Sequence, residues 1–291
     1  MPISNPHTDR EVLTKYAYAT DEHYSIRYRT HELYSLPRID FPRWVVETLN
    51  WRGDEWVLDV GSGPGTYFEW VRQNIPTGRH YAGDLSWGMS STAREQAGTE
   101  ATHILNLDVQ HLPFPDHTFD VVMANHMLHH VPDLDQAFNE IRRVLRPRGI
   151  LLAATNSVHT MPEFETLVRR AYTLLGYPKQ DIPLVHHTFT LENGIMRLAQ
   201  YFRAIARYDL PSAFHFPEVE PVLNYLNSGR PLREPHLPMD VSWDEFMGVM
   251  EKQIARLINH FGELQVHKLT GVMVATNGGG FAEDYLEKLG S

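Results

Sequence analysis

The chain reads as an α/β protein built on a mostly parallel sheet with helices on both faces. Three observations predict this. From residue 55 onward, short apolar runs alternate with helix-length stretches. Those runs are apolar on both sides, as strands covered on two faces must be. The first of them runs into a glycine-rich turn that opens a helix.

Taken in order, residues 1–40 are assigned as an N-terminal lid segment: polar and tyrosine-rich, with Tyr16, Tyr18, Tyr24, Tyr28 and Tyr34 among Arg27, Arg29 and His31. Residues 41–50 form a short amphipathic helix that buries Trp44, Val45 and Leu49. The first strand spans 56–60 and is followed by the glycine turn and a helix at 67–74. A second strand at 79–83 ends in Asp84, a helix covers 88–96, and a third strand at 102–107 ends at Asp108. Residues 119–124 are a fourth strand, apolar but for Asp120. The helix at 134–145 repeats apolar positions at Phe138, Ile141 and Leu145, and 150–154 is a fifth strand.

Beyond that point the pattern is less regular. A helix is expected at 161–175, then a proline-containing stretch with His186 and His187, a helix at 191–201 and a sixth strand at 202–210. Helices at 218–226 and 243–261 follow, and 265–276 alternates like a final strand before a glycine-rich, charged tail. Residues 211–262 are read as a helical cap insertion within one domain running from 41 to 291. They hold too few apolar positions to close a core of their own, and are expected to roof the ligand edge of the sheet.

The composition, 42% hydrophobic and 21% charged, suits a folded chain with a sizeable core. Twenty-six Lys plus Arg against thirty-six Asp plus Glu give a formal charge of -10. Nucleic-acid binding, which needs cations to displace counterions, is therefore not expected. The absence of cysteine excludes disulfides, thiolate metal sites and cysteine nucleophiles. The polar start lacks the pattern of a signal peptide, and no stretch approaches the roughly 18 apolar residues of a membrane span. A cytoplasmic protein with no membrane partner is the default expectation; nothing in the sequence specifies an oligomeric state.

The strongest motif is Val57-Leu58-Asp59-Val60-Gly61-Ser62-Gly63-Pro64-Gly65-Thr66. Its spacing, G-x-G-x-G, is one residue short of the dinucleotide fingerprint, whose later third glycine serves a pyrophosphate at a helix N-terminus. A ligand with no phosphate but with an amino acid end and a cationic sulfonium, S-adenosylmethionine (SAM), fits better, because Asp59 sits just before the turn. Asp84 follows 25 residues later at the end of the second strand, where a carboxylate can accept both ribose hydroxyls. Asp108 comes 24 residues after that, at the end of the third, where it can accept from an adenine amino group. In an open α/β sheet all three acids and the turn line one carboxyl-end crevice. Taken singly, Asp84 and Asp108 also read as helix caps or turn residues.

These pieces resemble the class I SAM-dependent methyltransferases, in particular the branch around the ubiquinone/menaquinone C-methyltransferases. The likeness also rests on Gly83-Asp84-Leu85-Ser86, Leu107-Asp108-Val109, Leu112–Asp116 leading to Phe119-Asp120, Ala124–Val131 and Val144–Pro147, in order over about residues 40–156. Pro147-Arg148-Gly149 departs from the usual Pro-Gly-Gly before the fifth strand. The resemblance implies a Rossmann-like seven-stranded sheet with an antiparallel last strand. It further implies SAM contacts from Asp59, Gly61, Ser62, Gly63 and Gly65, from Asp84 with Leu85, from Asp108 with Val109, and from Asn125.

Methyl transfer from a sulfonium is an in-line displacement in which alignment does most of the work, and a base is needed only where the acceptor carries a proton. The segment after the fourth strand supplies the candidates: His126 and His129 as bases, each equally readable as a bystander. His130 is read chiefly as a packed residue supporting the SAM loop and secondarily as an acceptor contact. His126 and His130, at i and i+4, are expected to share one helical face. No third ligand accompanies them at a fixed spacing, so no metal is expected. Tyr24 and Tyr28 are candidate substrate contacts, or aromatics anchoring a surface segment. The expected activity is methylation of O, N or C in a small-molecule acceptor. The alternative is a SAM-binding protein without turnover, and an NAD-dependent oxidoreductase is disfavoured by the short glycine spacing.

Overall fold

The apolar runs become strands close to where their patterning puts them. The computed structural model describes residues 5–98, 102–179 and 188–278. Among these, the strands are β1 (Ser35–Leu36), β2 (Trp56–Val60), β3 (Arg79–Asp84), β4 (Thr102–Asn106), β5 (Phe119–Met123), β6 (Leu145–Asn156), β7 (Ala204–Phe216) and β8 (Leu264–Thr276). The chain divides into two compact units. One comprises Met1–Asp40, Val158–Val185 and Leu210–Leu269; the other comprises Phe41–Ser157, His186–Asp209 and Thr270–Ser291.

The second unit holds β2 to β6 whole, with residues 204–209 of β7 and 270–276 of β8, in the strand order β7-β8-β6-β5-β2-β3-β4. Its β2 pairs in parallel with both β3 and β5, while β3–β4 and β5–β6 are parallel as well. β8 runs antiparallel to β6, with Ile150 opposite Thr276 and Asn156 opposite Thr270. This is the mostly parallel sheet that the alternation predicts, with the antiparallel last strand that the resemblance implies. Four of the five β2 residues are buried, which explains why the run is apolar without a period of two.

One face is packed by Val45 and Val46 from helix Phe41–Val46, and by Val71 from helix Phe68–Asn74, against Val57, Val121, Met123 and Leu152. Each fully buried aliphatic side chain contributes on the order of 1.5–3 kcal/mol. Helix Leu134–Val144 buries Leu134, Ala137, Phe138, Ile141 and Val144, a stripe at three-to-four spacing, and starts at Asp133, which accepts from Gln136 N at 3.0 Å. Helix Trp87–Ala97 begins at Ser86, whose hydroxyl accepts from Met89 N.

The first unit has its own core. Phe214 and Phe216 of β7 pack with Phe164, Leu167 and Val168 of helix Pro162–Leu174 and with Phe246, Met250 and Ile254 of helix Trp243–Phe261. Residues 211–262 thus share a core with 158–179 instead of closing one alone. Helix Trp243–Phe261 is held at its start by a reciprocal Ser242–Glu245 capping box and ends at Gly262 in the left-handed region. β1 is an eighth strand beyond the seven predicted: two residues, pairing antiparallel with Ala213 and Phe214. The polar 22–34 stretch is a helix, Glu22–Tyr34, in which only Thr30 is fully buried, so no apolar stripe announces it. β7 continues to Phe216, past Pro211, where the sequence reading stops it at 210. His186 and His187 lie outside the described residues. Among the described residues, no helix is long and apolar enough to cross a membrane.

Candidate functional site

Parallel strands bring their carboxyl ends to one edge, and in the second unit that edge gathers most of the predicted residues. The register sets Asp59 opposite Ala82 on one side and Met123 on the other, so the glycine turn after β2, Asp84 at the end of β3 and Asn125 just beyond β5 are neighbours. The turn is tied down by its own backbone: Gly61 N and Ser62 N both donate to Gly83 O, at 2.8 and 3.0 Å. Gly61, Gly63 and Gly65 have φ of 69°, 55° and 101°, values that side-chain-bearing residues rarely adopt. Their surroundings differ. A Cβ on Gly61 would meet Met127 Cγ at 2.6 Å and one on Gly65 would meet Phe68 at 2.5 Å, whereas one on Gly63 would find nothing within 4 Å. Gly63 is the point at which the turn presents open backbone.

Asp84 organises the loop. Its Oδ2 accepts from Gly63 N at 3.0 Å and its Oδ1 from Ser86 N at 2.8 Å. Burial pushes its pKa up, and the backbone donors pull in the opposite direction. Asp59 is different: only 1% exposed, with neither carboxylate oxygen hydrogen-bonded. Desolvation, helped by the charge of Asp84, raises its pKa well above the ordinary carboxylate value. Ser62 Oγ and Asn125 Nδ2 are likewise buried without a partner, while Asn125 Oδ1 accepts from Ala154 N at 3.2 Å. Orphaned buried groups cost roughly 1–3 kcal/mol each, so several at one edge call for a ligand bearing both donors and acceptors. A cationic ammonium or sulfonium matches Asp59, and a group with acceptors matches Ser62 and Asn125. SAM, which carries both kinds of group, fits these residues.

Asp108 lies beyond the end of β4 and closes a turn on itself, its Oδ1 accepting from Gln110 N at 2.9 Å. Val109 is buried and Leu85 half-buried. Asn106 was not foreseen: its Nδ2 donates to Asp84 O at 2.8 Å and Leu85 O at 3.0 Å, holding the loop after β3. Its sequence signal is slight, a polar residue at the end of a strand in register with Asp84. His80 was missed as well. It is 1% exposed, its Nδ1 lies 3.2 Å from Thr102 Oγ1, and burial with the nearby Arg72 charge lowers its pKa to about 3, which marks it as a neutral packing residue.

The histidine segment departs from the reading of a shared helical face. His126 sits at φ 53°, in the left-handed region, with its N–H donating to Ala154 O at 2.9 Å, and only a single 3-10 turn, Leu128–His130, follows it. No α-helical i, i+4 face exists for His126 and His130 to share; the sharp exit from β5 takes its place. The His126 ring packs 5.2 Å from Phe41, and desolvation lowers its pKa to about 4. His129 is 6% exposed, its ring 4.1 Å from that of His130, and its carbonyl accepts from Thr188 Oγ1 at 2.9 Å. Tyr24 and Tyr28 belong to the first unit, stacked with ring centroids 6.1 Å apart on helix Glu22–Tyr34; burial and the charges of Glu32 and Asp40 raise the Tyr28 pKa to about 12. Among the described residues, no group of three or more His, Asp or Glu is placed to hold a metal ion.

An open α/β sheet with an antiparallel last strand, a glycine turn and a buried acid before it are the features that the resemblance to SAM-dependent methyltransferases implies. Residues 58–153 match the family model described as a methyltransferase domain. The chain is 30% identical over 165 residues to a malonyl-[acyl-carrier protein] O-methyltransferase of Geobacter sulfurreducens, covering 56% of this chain and 61% of that one. It is also 30% identical to a ubiquinone/menaquinone biosynthesis C-methyltransferase of Hahella chejuensis, over 46% of this chain and 55% of the other. The chain therefore spans less than two thirds of the length of these relatives. Among solved structures, phosphoethanolamine N-methyltransferase 2 of Haemonchus contortus, in complex with S-adenosyl-L-methionine, has the same fold, with a TM-score of 0.56 at 18% identity, covering 92% of this chain and 60% of that one.

Proposed function

We propose that the protein is an enzyme that transfers a methyl group from SAM to an O, N or C atom of a small-molecule acceptor. The observation that carries this reading is Asp59, a buried carboxylate with both oxygens unpartnered beside a glycine turn. Bound SAM supplies a methyl carbon already activated by a positively charged sulfur. Asp59 offers that cationic ligand the charge complement that water cannot reach. Asp84 orders the loop through Gly63 and Ser86 and keeps lone pairs free for a diol. Open backbone at Gly63 lets the ligand approach the main chain, and Ser62 and Asn125 donate to it. Asp108, Leu85 and Val109 are assigned to the adenine end.

His126, with a pKa of about 4, is neutral at pH 7 and able to accept a proton, although a base matched to that pH would titrate nearer 7. Catalysis in this reading rests mainly on alignment, with His126 or His129 assisting where the acceptor is protonated. The relatives support a small or carrier-bound acceptor: one is a malonyl-[acyl-carrier protein] O-methyltransferase and another a ubiquinone/menaquinone biosynthesis C-methyltransferase. A net charge of -10 supports an acceptor other than nucleic acid.

The test is turnover. The protein is incubated with SAM and a panel of malonyl thioesters, quinols, phenols and amines, and S-adenosylhomocysteine is measured. Release dependent on one acceptor class supports the reading. SAM that binds but yields no product with any acceptor, including a metabolite extract, favours a binder without turnover.

A further inference from the structure

The first unit contains positive charge that its own acids do not neutralise. Arg27 and Arg233 act on Tyr225, and Lys268 sits over the Phe214 ring that packs against it; among the described residues none of the three forms an ion pair with a carboxylate. Arg27 Nη1 donates to Ser228 O at 2.9 Å, and the Ser228 hydroxyl donates to Tyr225 O at 2.6 Å. Arg233 folds back over the adjacent Gly229, where a Cβ would lie 3.2 Å from its Nε. Two guanidinium groups therefore flank the same short stretch of backbone, and each acts electrostatically on Tyr225. On the other side, Lys268 is 7% exposed. Its Nζ donates to Ser35 Oγ at 2.5 Å, lies 3.0 Å from His31 Nδ1, and sits 3.8 Å from the centre of the Phe214 ring, which itself packs 5.3 Å from Tyr225.

Two of the three cations are desolvated at a cost. Burial lowers the pKa of Arg233, and it lowers that of Lys268 to about 7. Glu165 and the phenols of Tyr172 and Tyr225 act on Arg233 only electrostatically, while Arg27 repels it. A chain with ten more acidic than basic groups has gathered three cations in one place and left them without carboxylate partners. Buried charge without a carboxylate ion pair marks a candidate ligand site.

We propose that the first unit holds an anion-binding site in which Arg27, Arg233 and Lys268 receive the carboxylate or phosphate of a small organic molecule whose apolar body packs on Tyr225. Arginine suits the role because its planar fork meets either group with two parallel hydrogen bonds. The site stands on the first unit alone and is independent of SAM binding.

The test uses the full chain at fixed ionic strength, titrated by calorimetry and thermal unfolding with phenyl phosphate, benzoate and the neutral benzyl alcohol. At least one anion is expected to bind about tenfold or more tightly than benzyl alcohol and to raise the unfolding midpoint. The stronger of the two anions identifies the group recognised. R233M is expected to raise the midpoint of the ligand-free protein, abolish the anion-induced shift and leave SAM affinity within twofold; a structural arginine would lower that midpoint instead. K268M and R27Q, each weakening the anion about tenfold, serve as independent variants should R233M fail to fold. Equal binding of the neutral compound, or wild-type anion affinity in K268M and R27Q, overturns the proposal.

Discussion

Replacing Asp59 by Asn separates what the carboxylate does for the ligand from what it does for the fold. In the free protein both oxygens are buried and unpartnered, and the pKa stands well above its unfolded value of about 4. A carboxyl whose folded pKa is raised holds its proton more tightly when folded. Its contribution to stability is therefore complete at pH below about 4 and is lost as pH rises through the folded pKa. Asn cannot ionise, so D59N removes that loss, and its advantage over wild type grows with pH. With roughly 1–3 kcal/mol for a buried unsatisfied group and roughly 2–4 °C per kcal/mol for a domain of this size, the ligand-free variant should melt about 2–12 °C higher at pH 8.5 and closer to wild type at pH 5. SAM binding should move the other way. A charge-assisted interaction of about 1.5–3 kcal/mol lost from the bound state weakens affinity roughly 10- to 150-fold. Differential scanning fluorimetry across pH and isothermal titration with SAM read the two effects. A D59N protein that melts lower at pH 8.5 and binds SAM as tightly as wild type would refute the reasoning.

Other expectations follow from the same edge. G63A should fold, losing about 1–2 kcal/mol to its left-handed backbone, yet bind SAM poorly; G61A and G65A should be less stable than G63A by chemical denaturation, because their Cβ atoms meet Met127 and Phe68. D84A should weaken SAM by at least tenfold and also loosen the loop, seen as faster amide exchange at Gly63 and Ser86, since it removes their acceptor. H126G deletes the imidazole while relieving the left-handed strain at φ 53°, so its stability should equal or exceed that of H126A, and any fall in turnover then belongs to the ring. If His126 is the base, turnover should be lost only as pH falls through about 4 and stay flat from pH 6 to 8; a limb near 6.5 would point to a different group.

Strands buried on both faces are legible in sequence because burial dictates composition there, which is why β2 and β5 are found where their apolar runs put them. Where burial is partial the signal fades. Helix Glu22–Tyr34 buries only Thr30 fully, so its tyrosines and charges carry no stripe, and β1 is too short to have a pattern. β7 runs on through Pro211, a residue that ordinarily ends a strand. His126 shows a second limit: a β5 exit in the left-handed region is a backbone decision that a His-x-x-x-His spacing does not encode. The orphaned state of Asp59, and the cluster of Arg27, Arg233 and Lys268 from distant parts of the chain, depend on what fails to lie beside them. Only coordinates reveal such absences.

The most direct measurement is calorimetric titration of the wild-type protein with SAM, S-adenosylhomocysteine and NAD, side by side. Saturable binding of the two adenosyl ligands in the range of about 1 μM to 1 mM, with NAD silent, is the predicted result. Binding of NAD in preference to both, or no heat from SAM at any concentration, would contradict the account.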